Sequence, residues 1–198
     1  MLKIGITGGI GTGKTTACEI FEKLGVPVYY ADDRAKWLQN NQPEVIAALK
    51  ALFGAFIYKD GILDRAAVGS IVFTDKEKLE KLNAIVHPAV FQDSENWQEQ
   101  QRNSGKAYTL KEAALLFETG SNKQLDKIIV VSAPLELRVK RVMQRDTLSR
   151  EEVLKRISSQ MPQEEKENLA DFVIQNEDLK DLEDQIKSVH EHILLSCK

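Results

Sequence analysis

Apolar positions change their period twice within the first thirty residues. Leu2 to Thr7 is a short, β-branched apolar run stopped by glycine, which predicts a buried strand. From Lys14 to Leu24 the residues Ala17, Ile20, Phe21 and Leu24 recur at helical spacing until Gly25 ends the pattern. Val26 to Tyr30 then predicts a second strand. Strand, helix and strand in this order form the βαβ unit of a parallel sheet.

The stretch from Asp33 to Gly105 carries mostly helical spacing, broken at Asn40 to Pro43 and Gly54 to Gly61, with capping-box spacing at Thr74-Asp75-Lys76-Glu77. Ala107 to Phe117 contains a third strand, and the apolar series Lys127 to Ser132 a fourth. A basic helix follows Pro134. Ser149 with Glu152 caps another helix, whose stripe is Val153, Leu154, Ile157 and Met161. Asp171 to Gln175 predicts a last strand and Leu179 to Leu195 a closing amphipathic helix. The expected fold class is α/β: three layers, a parallel sheet and a helical insertion.

Composition narrows the setting. The 198 residues carry 27 basic and 30 acidic side chains, a net charge of −3, with 42% hydrophobic and 29% charged residues. That suits one domain with a real core and excludes wholesale disorder. The near-neutral balance offers no global attraction for nucleic acid or membrane. Cys18 and Cys197 lack metal or disulfide spacing, no apolar run is long enough to span a bilayer, and the start lacks signal-peptide character. A cytoplasmic protein with reduced thiols, no zinc and no obligate protein partner is expected.

Gly8-Gly9-Ile10-Gly11-Thr12-Gly13-Lys14-Thr15 fits G-x-x-x-x-G-K-[ST] between a strand and a helix. Gly9, Gly11, Thr12 and Gly13 let the backbone turn its N–H groups onto phosphate oxygens, and the helix adds its positive end. Lys14 reaches the β- and γ-phosphates, Thr15 can ligate Mg²⁺, and Thr16 can donate to a further oxygen. A GTPase needs N-K-x-D; Asn122-Lys123-Gln124-Leu125-Asp126 has one residue too many. A large ATPase needs an acid after its second core strand, where Ser132 stands. A small-molecule kinase remains.

Asp32 and Asp33 follow the second strand, at the carboxyl end of the sheet where ligands of parallel α/β folds bind. A carboxylate there can orient or deprotonate an attacking hydroxyl, or hold Mg²⁺ through water; the alternative is a helix cap. Arg138, Arg141 and Arg145 share one helix face, and guanidiniums closing over a transferring phosphoryl stabilise its charge; the alternative is a solvated face. Arg65 offers an anion contact or a structural ion pair. His87-Pro88 reads as a helix-end turn.

Thr7 to Thr16, then Val28-Tyr29-Tyr30-Ala31-Asp32, resembles the dephospho-CoA kinases. Gly61-Ile62-Leu63-Asp64-Arg65, Val72-Phe73, His87-Pro88 and Leu115-Leu116-Phe117-Glu118 agree in order, as do Arg141 to Asp146 and Asp171 to Asn176. The resemblance covers nearly the whole chain. It implies a P-loop kinase of residues 1–198 with a helical acceptor-binding part at 33–105 and a lid at 138–165. It further implies Mg²⁺-dependent transfer of the ATP γ-phosphoryl to the ribose 3′-hydroxyl of dephospho-CoA, with Lys14, Asp32, Arg141 and Arg145 catalytic. Asn176 would meet the adenine side, where a plain turn is the alternative. Thr7, Asp32, Arg65, His87, Leu115 and Glu118 would bind the acceptor. Two departures stand out: Tyr30 replaces the first acid of the family's Asp-Ala-Asp, and Ala114 its usual proline. Other readings are a P-loop kinase for a nucleoside monophosphate or small metabolite, and an ATP-holding switch.

Overall fold

The computed structural model describes residues 1–197, which divide into two compact units: residues 1–30 with 100–197, and residues 31–99. The first unit is built on a five-stranded sheet in the order β2-β5-β1-β6-β7. Its strands are β1 (Leu2–Thr7), β2 (Val28–Tyr30), β5 (Tyr108–Glu112), β6 (Lys127–Ser132) and β7 (Phe172–Gln175). Every pairing is parallel, so all carboxyl ends lie on one edge. β1 and β6 are apolar nearly throughout, as a strand covered on both faces requires.

Helix α1 (Lys14–Lys23) buries Ala17, Cys18, Ile20 and Phe21, and α9 (Leu179–Ser196) buries Leu182, Ile186 and Ile193 in the same core cluster as Ile4, Ile6, Leu110 and Ile129. A second cluster joins α6 (Leu135–Asp146) and α7 (Arg150–Ser158) through Val139, Val142 and Val153. Ser149 and Glu152 form the expected reciprocal cap of α7. A six-residue helix, α8 (Gln163–Asn168), precedes β7 and was not signalled by any apolar stripe, since its residues are polar throughout.

The second unit holds α2 (Ala31–Asn41), α3 (Pro43–Phe53), the two-residue strands β3 (Tyr58–Lys59) and β4 (Ile62–Leu63), α4 (Arg65–Thr74) and most of α5 (Lys76–Asn103). Val45, Leu49, Phe53, Ile57, Leu63 and Val68 form its core. Asp64 caps α4 by accepting the Ala67 N–H at 3.0 Å.

Four local expectations change. β1 and β2 are not sheet neighbours, because β5 enters between them. Their βαβ link therefore spans one strand position. The break at Gly54 to Gly61 leads into an antiparallel hairpin, with Tyr58–Lys59 paired to Ile62–Leu63. Asp75 rather than Thr74 caps α5, with its Oδ1 3.0 Å from Lys78 N, while Thr74 bonds back into α4. His87-Pro88 is not a helix end: Pro88 lies inside α5, and both residues are exposed. The missing proline N–H removes one rung of a 28-residue ladder, and neighbouring turns hold the rest.

Candidate active site

The phosphate loop leaves β1 at Thr7 and enters α1 at Lys14. Gly13, the residue before the helix, has φ 88°, and no side chain caps the helix start, so the first-turn amides point outward for a ligand. A Cβ on Gly13 would come within 2.0 Å of Asn176 Nδ2, which only glycine avoids. Thr12 is buried; its hydroxyl donates to Gly9 O at 2.9 Å and shapes the loop from within. Lys14 Nζ donates to Gly8 O at 3.0 Å. Thr15 is exposed, and its hydroxyl has no partner among the described residues; Thr16 is half-buried beside it. An exposed hydroxyl on the first helical turn fits a nucleotide-borne Mg²⁺, which takes few protein ligands and keeps several waters.

The arginines of α6 separate into three environments. Arg138 is buried, its Nε donating to Ile10 O at 3.0 Å, and burial holds its guanidinium below the usual arginine range. It sits under the phosphate loop rather than on an open face. Arg141 is half-buried and donates to the backbone oxygen of Asn176 at 3.0 Å and to its Oδ1 at 3.4 Å. Asn176 is itself buried and gives its Nδ2 to Thr12 O at 2.8 Å. One asparagine therefore links the loop, the end of β7 and Arg141. Arg145 is exposed and forks onto Asp146 at 2.7 and 3.1 Å, with Arg156 on the same carboxylate at 3.3 Å.

The expected acceptor residues fall in both units. In the first, Thr7 is buried with its hydroxyl 3.5 Å from Ala114 O. Leu115 is exposed on the turn after β5. The Glu118 carboxylate meets Lys166 Nζ at 2.8 Å and the Met161 N–H at 3.0 Å. Partial burial raises its affinity for a proton, but the Lys166 and Met161 hydrogen bonds prevail and hold it below the usual carboxylate range. In the second unit, Asp32 is an exposed residue of the first turn of α2, two residues beyond the last of β2. Arg65 begins α4 and donates to Gln39 Oε1 on α2 at 3.3 Å. His87 is an exposed residue of α5. The same unit contains a cavity of about 280 Å³ whose lining includes Trp37, Asn41, Gln42, Gln92 and Asn96. Arg34 stacks over Trp37 at 4.4 Å and forks onto Asp93 at 2.9 and 2.5 Å.

Three further residues reach the site without any signal in the sequence pattern. Gln160 and Gln163 fall within the 138–165 stretch expected as a lid and Lys166 just beyond it, and no apolar stripe places any of the three inside the fold. Lys166 is instead fully buried, on Glu118 and Ala114 O, and both glutamines bond the phosphate loop. No apolar periodicity could mark them, because hydrogen bonds from far along the chain bury them.

Comparison with known proteins identifies the family. The family model for dephospho-CoA kinase matches residues 2–181. A dephospho-CoA kinase of Chlorobaculum tepidum is 41% identical over 199 residues, covering 98% of this chain and 95% of that protein. Among solved structures, protein TT1252 of Thermus thermophilus superposes with a TM-score of 0.84 at 37% identity, over 100% of this chain and 98% of the other. The dephospho-CoA kinase of Campylobacter jejuni gives 0.74 at 31% identity, over 99% and 98%. With its phosphate loop, its parallel sheet and a match that runs along almost the entire sequence, the chain belongs to the dephospho-CoA kinase family.

Proposed function

We propose that this chain transfers the γ-phosphoryl group of ATP to the ribose 3′-hydroxyl of dephospho-CoA, the last step of coenzyme A synthesis, with the following division of labour. The family match over residues 2–181 carries the assignment of reaction. Phosphoryl transfer passes through a loose transition state, so positioning and charge stabilisation supply most of the catalysis. Backbone amides from Gly11 to Thr16 hold the phosphate chain, Lys14 neutralises the β- and γ-oxygens, and Thr15 would ligate Mg²⁺. With ATP bound, such a metal would supply positive charge that offsets the charge developing on the phosphate oxygens.

Asp32 orients the 3′-hydroxyl and accepts its proton as the new P–O bond forms. Arg141, presented by Asn176, meets the transferring group, and Arg145 closes from the exposed end of α6 after leaving Asp146. Burial and fixation by two hydrogen bonds support Arg141 as the stronger of the two. On the acceptor side, Arg65 suits the diphosphate of dephospho-CoA. The cavity beside α2, lined by apolar side chains as well as by Asn41, Gln42, Gln92 and Asn96, suits a ligand arm that carries amides between methylenes. The two free cysteines agree with a reducing, cytoplasmic setting.

Acceptor-dependent ADP release, with mass analysis of the product, tests the reading. Dephospho-CoA should support turnover, while AMP, CMP and shikimate should not. Asp32→Asn should retain ATP binding and lower turnover about a hundredfold or more, and Lys14→Ala should lose both. No turnover with dephospho-CoA overturns the substrate assignment; near-normal turnover in Asp32→Asn removes Asp32 from its role.

A further inference from the structure

The first turn of the phosphate loop is held from outside. Gln163 Oε1 accepts the Gly9 N–H at 2.9 Å, and Gln160 Oε1 accepts the Ile10 N–H at 2.9 Å, across sequence separations of 154 and 150. Arg138 completes the support at Ile10 O, and a Cβ on Gly9 would strike its guanidinium at 2.3 Å. A backbone N–H can only donate, so the oxygen end of each carboxamide is fixed by its partner.

The two amides differ at their other ends. The Gln163 NH₂ is engaged, with Val131 O at 3.3 Å and Glu167 Oε1 at 3.2 Å. The Gln160 NH₂ makes no hydrogen bond among the described residues, and its side chain is half-buried. With Gly9 and Ile10 committed to glutamine oxygens, the turn itself offers these two amides to no phosphate. A donor returns in the Gln160 NH₂, one carboxamide width from Ile10. The same turn carries Lys14 Nζ on Gly8 O, and that lysine is the group which reaches the β- and γ-phosphates in phosphate loops.

We propose that Gln160 contacts the γ-phosphoryl group of bound ATP, its carboxamide oxygen fixing the loop at Ile10 while its NH₂ donates to a γ-oxygen. The inference rests on the reading of this site as an ATP-dependent transferase. A carboxamide carries the acceptor and the donor that the two tasks need, and no charged side chain does. Lysine and arginine have no acceptor for the Ile10 N–H, and a carboxylate would accept it but repel the phosphate. Gln163, with its NH₂ turned inward, is a positioning residue for the loop.

The test compares ATP and ADP affinities by titration calorimetry on the full chain. Gln160→Glu keeps an acceptor for Ile10 and exchanges the donor for a negative charge. ATP binding should weaken about tenfold or more while ADP binding changes by less than about threefold. Thermal stability should stay at the wild-type value. Gln160→Ala should move the ATP-to-ADP ratio in the same direction, and decides the matter if the glutamate variant does not fold. Gln163→Ala should weaken both nucleotides alike. An unchanged ratio in both Gln160 variants overturns the proposal. A wild-type chain that binds both nucleotides yet leaves dephospho-CoA untouched would defeat the function assigned above, with the ratio still deciding Gln160.

Discussion

The ion pair between buried Lys166 and the partly exposed Glu118 makes an asymmetric prediction. The Lys166 side chain is 0% exposed and the Glu118 side chain 23%, with Nζ and Oε1 2.8 Å apart. Glu118→Gln leaves an ammonium buried without its counter-ion. Breaking a buried pair in this way costs about 3–5 kcal/mol. Lys166→Met removes the buried charge and keeps its volume, and the carboxylate left behind can turn to water, so the cost is about 1–2 kcal/mol. At about 2–4 °C per kcal/mol for a chain of this size, Glu118→Gln should lower Tm by about 6–20 °C and Lys166→Met by about 2–8 °C. The double variant should resemble Lys166→Met, since no buried charge remains. Thermal melts of the four proteins at pH 7 measure this cycle. A larger loss in Lys166→Met than in Glu118→Gln would refute the argument, because the exposed partner would then be the costly one to strand. The pH dependence has a definite sign. Glu118 is held below its ordinary value of 4.5 in the fold, so its contribution is complete above that pH. It is lost as pH falls through the lower folded value, and Lys166→Met should flatten the acid limb of the Tm profile.

Two more outcomes can be measured on the same protein. Gly13→Ala places a methyl at φ 88° against Asn176 Nδ2, breaking its bond to Thr12. The left-handed strain alone is about 1–2 kcal/mol, so Tm should fall by at least about 2–8 °C and ATP affinity with it; wild-type behaviour in both would deny the link. Cys18 is fully buried, and burial, then Glu112 and Glu22, raise its thiol well above the ordinary range. At pH 8 a thiol reagent should therefore label the exposed Cys197 at least about a hundredfold faster. Equal rates would contradict the packing of α1.

Local patterns in the chain were enough to reveal the core elements. β1 and β6 coincide with their apolar runs, α1 with its 3.6-residue stripe, and α7 with its capping box, because burial and capping act between residues close in sequence. The phosphate loop is legible for the same reason: its work is done by backbone amides that a run of glycines exposes. The continuation of α5 through Pro88 is not legible, since a proline's cost depends on whether the surrounding helix turns are held elsewhere.

Long-range contacts set the remaining features. The placement of β5 between β1 and β2 depends on which strand edges pair, and both βαβ spacings suit the same residues. The three arginines of α6 look equivalent on a helical wheel, yet Arg138 lies under the loop, Arg141 rests on Asn176 and Arg145 stays in solvent. Gln160 and Gln163 carry no local signal of their own, and only the fold brings them onto Ile10 and Gly9. Glycine spacing between a strand and a helix is enough to locate the phosphate loop and the residues that build it. Tertiary structure decided what holds that loop in shape, because a hydrogen bond across 150 residues leaves no period in the chain.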